Sequence, residues 1–360
     1  MSSSAGGPAR FVVLDSWRGL AACMVALFHV RVYSHVADFD LVRNAYLFVD
    51  FFFVLSGFVI AATYSERLTN GFGMWRFMVL RFGRIYPLHL AMLMAFVLAG
   101  TGELSTAEQS RALLAHAFLL HGLGVITVPV WGNVPSWSIS TEFFVYLIFA
   151  AGMSTLRDRV RWVLLPVVVF LPLLIYLSKG GLAESEGYQL ARGFFGFTAG
   201  MIAWQLFGAL RGRAQPGTGS ELAAIFALIA FVSLAGDRPA SVVAPIVFAA
   251  VIVIFAFEAG KASRLLRRKP FVVLGLLSYS IYMLHYFVAR QMVGAIALAN
   301  SMGIPGSAYL GAEKWAGDLA ILVYLAVVVG FAPLTFRLIE APARARFKQL
   351  AGPAGTAQAT

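Results

Sequence analysis

Ten apolar stretches, each close to the length of a membrane crossing, recur along this chain of 360 residues. They run over 12–30, 44–64, 84–100, 137–156, 161–178, 190–210, 221–236, 240–259, 271–299 and 317–339. About 20 consecutive apolar residues cross the hydrocarbon of a bilayer. Inside it every backbone N–H and C=O must find a partner within the protein, so runs of this length are helices. The expected fold class is therefore all-α, a polytopic transmembrane bundle of about ten spans. Composition agrees: hydrophobic residues make up 60%, mean hydropathy is +0.80 and only 12% of residues are charged. Soluble domains carry about 25% charged residues. The expected organisation is one membrane-embedded domain over 1–345. The small-residue segment 346–360 is expected to be a disordered cytoplasmic tail.

A formal net charge of +11 suggests nucleic acid in a soluble protein. In a membrane protein it has a simpler reading, because Lys and Arg hold loops on the cytoplasmic side. A further run over 112–130 is ambiguous, broken by His116, His121, Gly122 and Gly124 and closed by Pro129. Loop charge resolves it. If 112–130 does not cross, eighteen loop Lys and Arg residues share one side, among them Arg67, Arg157, Arg211, Lys261 and Arg344, and six lie on the other. A crossing would scatter them. Ten spans with both termini cytoplasmic follow, and 112–130 becomes an outer-side helix or a re-entrant piece. The single cysteine, Cys23, leaves no disulfide framework or cysteine metal site. No His-x-x-x-His zinc pattern, phosphate-binding glycine loop or nucleophile elbow appears, so no metal is expected. The N-terminus shows no signal peptide.

Polar residues inside apolar helices are costly and mark functional interiors. Arg18 and His29 stand eleven residues apart in the first run, close to three helical turns. They share one face, roughly 16 Å apart along the axis, which suggests a path across the bilayer. With the loop orientation applied, His29, Asp50 and Glu142 fall near the outer end of their runs. An imidazole with carboxylates at one depth suits proton abstraction; simple snorkelling to the interface is the plainer alternative. Arg18, Arg81 and Arg84 form an inner layer. Arg81 and Arg84 share a helical face, and their paired guanidinium forks match phosphate oxygens; topogenic charge is the alternative. Ser278, Tyr279, Tyr282 and His285 make a polar stripe, with His285 read as a hydrogen-bonded packing residue. Glu340, beside Pro342, is a polar end of the last run. Trp17, Trp75, Trp131 and Trp137 fit an interfacial aromatic belt.

Six segments in order from 11 to 342 resemble the acyltransferase 3 family of integral membrane acyltransferases. They are LDSWRGLAACMVALFH, VDFFFVLSGFVIA, RFGRIYPLHL, VPSWSISTEFFVY, SYSIYMLH and FRLIEAP. The resemblance implies transfer of an acyl group, usually acetyl from acetyl-CoA, to a hydroxyl of a glycan or glycolipid. The protein would be a multi-pass one of the bacterial plasma membrane, in contact with membrane lipids. Acyl-CoA is then a substrate, and no tightly bound cofactor and no nucleic-acid partner are expected. Carried onto this chain, His29 is the catalytic histidine, as general base or acyl carrier, with Arg18 its motif partner. Arg81 and Arg84 would hold the phosphate-rich end of coenzyme A. Glu142 and Glu340 match acidic positions, while Ser56, Trp137, Tyr282 and His285 fall in motif segments. Some members carry a fused extracytoplasmic hydrolase-like domain. This sequence ends soon after 342, and a stand-alone form is expected. The competing reading is a multispan transporter or exporter, which internal charges also permit; a membrane scaffold explains neither the Arg18–His29 alignment nor the acidic groups.

Overall fold

The structure, a computed structural model, describes residues 10–100, 105–124, 131–182, 187–213, 216–236 and 238–352. Among them regular structure is helical throughout. The main helices are α1 (Val12–His29), α2 (Phe48–Thr69), α3 (Met74–Leu98), α4 (Thr106–Ala117) and α5 (Trp137–Leu156). Then come α6 (Val160–Lys179), α7 (Gln189–Leu210), α8 (Thr218–Ala235) and α9 (Ala244–Ala256). The last are α10 (Lys269–Leu276), α11 (Ser278–Ser301), α12 (Lys314–Thr335) and α13 (Ala341–Leu350). Eight of them, α1, α2, α5, α7, α8, α9, α11 and α12, lie in stretches long and apolar enough to cross a membrane. The remaining two expected spans coincide with α3 and α6. The former carries Arg76, Arg81 and Arg84 in its first half, and the apolar stretch of the latter, Pro166–Lys179, is short.

The ambiguous run 112–130 opens inside a 12-residue helix, α4, which starts at Thr106 after a capping box between Ser105 and Glu108. The segment leaves α3 and enters α5 at the same end of the bundle, because those helices are antiparallel: Phe77, early in α3, meets Phe149, late in α5, at 5.9 Å between ring centroids. Residues 118–124 fold back onto α5, where Gly122 N–H donates to Ser140 Oγ at 3.0 Å and Thr141 Oγ1 donates to Gly122 O at 2.8 Å. Residues 125–130 lie outside the described residues.

Close backbone approach organises the core. Helices α2 and α7 cross at Gly57 and Gly200, and Gly196 one turn before Gly200 completes a Gly-x-x-x-Gly face. A Cβ on Gly200 would run into Val54 O and lie 2.7 Å from Phe58 N. Without a hydrophobic drive between helices in lipid, such small-residue faces let backbones approach and gain dispersion contact. The same device joins α1 to α10, where a Cβ on Gly19 would lie 2.6 Å from Gly275 N.

Two expectations need correction here. Residues 346–350 continue α13, which packs on α3 with Phe347 against Gly83, rather than beginning a disordered tail; residues 353–360 lie outside the described residues. The aromatic belt also fails in part. Trp17 is buried against Phe51 and Phe255, and Trp131 is buried too, whereas Trp75 is 80% exposed. A tryptophan near a helix end need not face lipid when a neighbouring helix covers it.

Candidate active site

Two polar cavities lie back to back within the bundle. The first, of about 300 Å³, is lined by Arg18, Arg81, Arg84 and Arg344, with Asp15 and Glu142 the only carboxylates lining it among the described residues. Its positions follow from helix faces. Arg18 on α1 is anchored against α10 and α11, its Nε donating to Ser278 Oγ at 2.7 Å and its Nη2 to Gly275 O at 3.0 Å. Arg81 on α3 donates to Tyr64 OH at 3.2 Å, and its guanidinium lies over the Tyr64 ring. Arg344 is held by Glu340, which is buried and also accepts from Ser280 Oγ at 2.9 Å. Glu340 reaches inward from a turn of π-helix, Phe336–Glu340, a local widening common at functional sites. Glu142 on α5 accepts from Ser56 Oγ at 2.7 Å and from Tyr146 OH at 2.5 Å, and the two hydroxyls are 2.8 Å apart. Phe52, Phe53, Leu55, Val59 and Ile85 give the cavity an apolar wall, beside Ser138, Tyr279 and Tyr282. Excess guanidinium charge beside an apolar slot suits a ligand with a phosphate head and an uncharged arm.

The second cavity, of about 380 Å³, is lined by His29 together with Arg31, Arg43, Arg192, Tyr46 and Trp137. His29 stands at the last residue of α1, with its Nδ1 2.9 Å from Val25 O and 3.2 Å from Nε2 of His285. The His285 ring is buried, and its Nδ1 lies 2.5 Å from Tyr282 O. A carbonyl only accepts, so His285 is protonated on Nδ1 and its Nε2 carries the lone pair. His29 Nδ1–H then serves both Val25 O and His285 Nε2. The Nε2 of His29 is left unprotonated, and it makes no hydrogen bond to the described residues. A backbone carbonyl and a second imidazole thus fix the tautomer and aim of His29, the task a carboxylate performs in many catalytic sites.

Tyr282 stands in the wall between the cavities and lines both. Its hydroxyl is 2.7 Å from Ser138 Oγ and donates to Pro135 O at 2.9 Å, and its ring meets the edge of Phe52 at 5.5 Å.

The expected residues sort differently from the layers read along the chain. Arg18 and His29 do share a face, since both meet α11, at Ser278 and His285. The expected outer cluster of His29, Asp50 and Glu142 is not formed. Asp50 is fully buried and bound to Arg192 by two contacts, 2.9 Å from Nε and 2.6 Å from Nη2. Glu142 belongs to the arginine cavity, as does Ser56. Proximity to a helix end gives depth but not direction: Asp50 turns to Arg192 on another helix, and Glu142 to the hydroxyls of Ser56 and Tyr146. His285, read as a packing residue, is instead the ring partner of His29. Trp137 lines the histidine cavity, with the Arg192 guanidinium 5.4 Å from its ring. Arg192 and Arg344 were missed. For Arg192 the signal was present: a lone arginine inside the apolar run 190–210. Outside both cavities, His89, His116 and His121 stack with nearly parallel rings, and His121 Nε2 is 3.0 Å from Ser136 Oγ. Burial and the His89 imidazole push His121 down to about 3, so it stays neutral. No group of side chains among the described residues has the arrangement of a metal site.

Apolar helices around two polar chambers, one rich in guanidinium groups and one presenting a free imidazole nitrogen, define a multi-pass integral membrane protein with an enzyme-like interior. The chain belongs to the acyltransferase 3 family: the family described as an acyltransferase domain matches residues 11–337. It is 27% identical to acyltransferase MdmB of Streptomyces mycarofaciens, over 93% of this chain and 92% of that protein. It is 29% identical to the exopolysaccharide production protein ExoZ of Rhizobium meliloti, over 72% of this chain and 81% of that one. Protein 2 in the picA locus of Rhizobium radiobacter is 30% identical, over 46% of this chain and 94% of its own length. No solved structure matches this chain. The protein is a membrane acyltransferase.

Proposed function

We propose that this acyltransferase moves an acetyl group from cytoplasmic acetyl-CoA to a hydroxyl of an extracytoplasmic or membrane-associated glycan, in a bacterial plasma membrane. One observation carries the reading: His29, whose Nε2 makes no hydrogen bond to the described residues, lines a cavity that shares Tyr282 with one lined by four arginines. The loop-charge bias supports an arginine cavity on the cytoplasmic side. There Arg81 and Arg84 take donor phosphates, and the apolar walls take the uncharged pantetheine arm. Arg18 and Arg344 add charge, while Glu142 accepts from Ser56 and Tyr146 and keeps their hydroxyls oriented. The exopolysaccharide name of one relative and the acyltransferase name of another support a glycan acceptor and acyl chemistry.

In direct transfer, His29 Nε2 takes the proton of the acceptor hydroxyl as its oxygen attacks the thioester carbonyl. The C–S bond breaks, coenzyme A leaves as the thiolate, and the proton held on His29 Nε2 passes to it, directly or through water, which restores the neutral imidazole. His285 Nε2 accepts from His29 Nδ1–H, so positive charge on His29 during the reaction is shared along that hydrogen bond. In the covalent alternative His29 Nε2 attacks the thioester carbonyl, the C–S bond breaks and coenzyme A leaves as the thiolate; the acceptor oxygen then takes the acyl group from His29 as the hydroxyl proton passes to the thiolate or to water. Rapid-quench labelling with radioactive acetyl-CoA without acceptor separates the two, since an accumulating acyl-histidine leaves label on the protein.

The two chambers are expected to separate in kinetics. His29→Ala lowers kcat by about 10²–10⁴-fold with acetyl-CoA binding retained. Arg81→Ala with Arg84→Ala instead weakens acetyl-CoA binding by a few kcal/mol. Calorimetric binding and steady-state transfer on purified protein check both; loss of donor binding alone in both variants would sink the two-chamber assignment. A transporter would bind acetyl-CoA without consuming it in the presence of any acceptor.

A further inference from the structure

The histidine cavity carries a charge pattern that transfer to a neutral hydroxyl does not require. Three arginines line it and, among the described residues, no carboxylate does. Their states differ. The charge of Arg192 is neutralised by Asp50, and its Nη1 donates to Leu182 O at 3.0 Å, so it is part of the wall. Arg43 is aimed by its own loop: Nε donates to Ala37 O at 3.2 Å, and the guanidinium leans on Asp38 and Asp40 at 3.3 and 3.7 Å. Asp38 is shared with Lys314, so this group of charges has no net anionic excess. Arg31 is exposed, follows His29 by two residues and makes no ion pair with the described residues. Among the described residues, Arg31 therefore leaves the cavity beside His29 with a net positive charge, and Arg43 stands next to it with its guanidinium shared with Asp38 and Asp40. The other walls, Phe28, Tyr46, Trp137 and Tyr282, are aromatic and suit the apolar faces of a sugar ring.

We propose that the acceptor is an acidic glycoside, a sugar carrying a carboxylate or phosphate engaged by Arg31 and Arg43 while a hydroxyl of the same or the adjoining residue meets His29 Nε2. This rests on the transferase reading above and adds the acceptor's charge to it. Arginine forks bind carboxylate and phosphate with similar geometry. The anionic group therefore belongs either to the glycan itself, as a uronate, or to a lipid carrier, as a sugar-linked diphosphate. Such a charge also steers the acceptor to the mouth before it docks, an effect that weakens with salt.

The test uses full-length protein in phosphatidylcholine nanodiscs and two matched probe pairs. One is a glucuronate-containing tetrasaccharide against its carboxyl-reduced form. The other is a short-chain polyprenyl diphosphate glucose against the same polyprenyl glucoside without phosphates. At low salt at least one anionic probe is expected to bind ten-fold or more tightly than its neutral partner, and the winning pair names the source of the charge. The advantage should shrink at high salt, fall to near parity in Arg31→Ala with Arg43→Ala, and return in part in Arg31→Lys with Arg43→Lys. Parity of both pairs in the unmodified protein overturns the proposal, as does a preference that survives the double alanine variant. Acetyl transfer is followed on the same samples. Equal transfer to charged and neutral acceptors rejects the acidic acceptor and leaves the transferase standing. A clear anionic preference without consumption of acetyl-CoA does the reverse.

Discussion

At His29 the deciding detail is which nitrogen is left free. Val25 O lies one turn back on the same helix, and His285 approaches from α11; together they occupy Nδ1 and leave Nε2 to the cavity. The carboxylates expected to do this are employed elsewhere. Asp50 in particular forms a buried pair with Arg192, both less than 5% exposed. Removing one partner of such a pair strands a buried charge and costs about 3–5 kcal/mol, whereas replacing both with apolar residues of similar volume is often neutral. Asp50→Ala is therefore expected to lower the thermal midpoint of the detergent-solubilised protein sharply. Asp50→Leu combined with Arg192→Met should recover most of the loss. If Asp50→Ala instead kept its full midpoint and lost only turnover, Asp50 would act in catalysis and not in the frame.

At the level of elements, α11 is the spine of the site. Ser278, Ser280, Tyr282 and His285 meet, in turn, Arg18, Glu340, the wall between the cavities, and His29. Ser278, Tyr282 and His285 were visible in SYSIYMLH as a stripe with Tyr279, because a helix repeats its faces every 3.6 residues and polar groups at such spacing stand out in an apolar run; Ser280 was not part of it. What each polar group meets was not visible, since every partner lies on another helix. The α2–α7 crossing makes the complementary case. Phe52, Phe53 and Ser56 stay in place only while α7 lies backbone to backbone against α2 at Gly57 and Gly200. Gly200→Leu is expected to separate the helices and cost several kcal/mol, as overpacking of a tight contact does. Size-exclusion profiles and thermal unfolding should show it, while Gly208→Leu, where a Cβ meets open space, should pass both unchanged.

For the whole molecule the prediction concerns sidedness. The loop-charge bias sets Arg213 on the cytoplasmic side and Phe39 outside. In a Cys23→Ser background, an impermeant maleimide should label Phe39→Cys in intact cells and Arg213→Cys only after permeabilisation; the opposite pattern would invert the donor and acceptor sides. Apolar run length, loop charge and ordered motifs determined the helical membrane class, the family and several of the residues that line the two cavities. Those properties are written in local spacing, because a helix in lipid must satisfy its own backbone and its length is set by the bilayer. Only the tertiary structure decided that Glu142 joins the arginines, that Asp50 is consumed by Arg192, that His285 completes His29, and that Tyr282 divides one expected path into two chambers. Depth along a helix follows from residue number, but the direction of a side chain and the identity of its partner depend on how helices distant in sequence rotate and pack against one another.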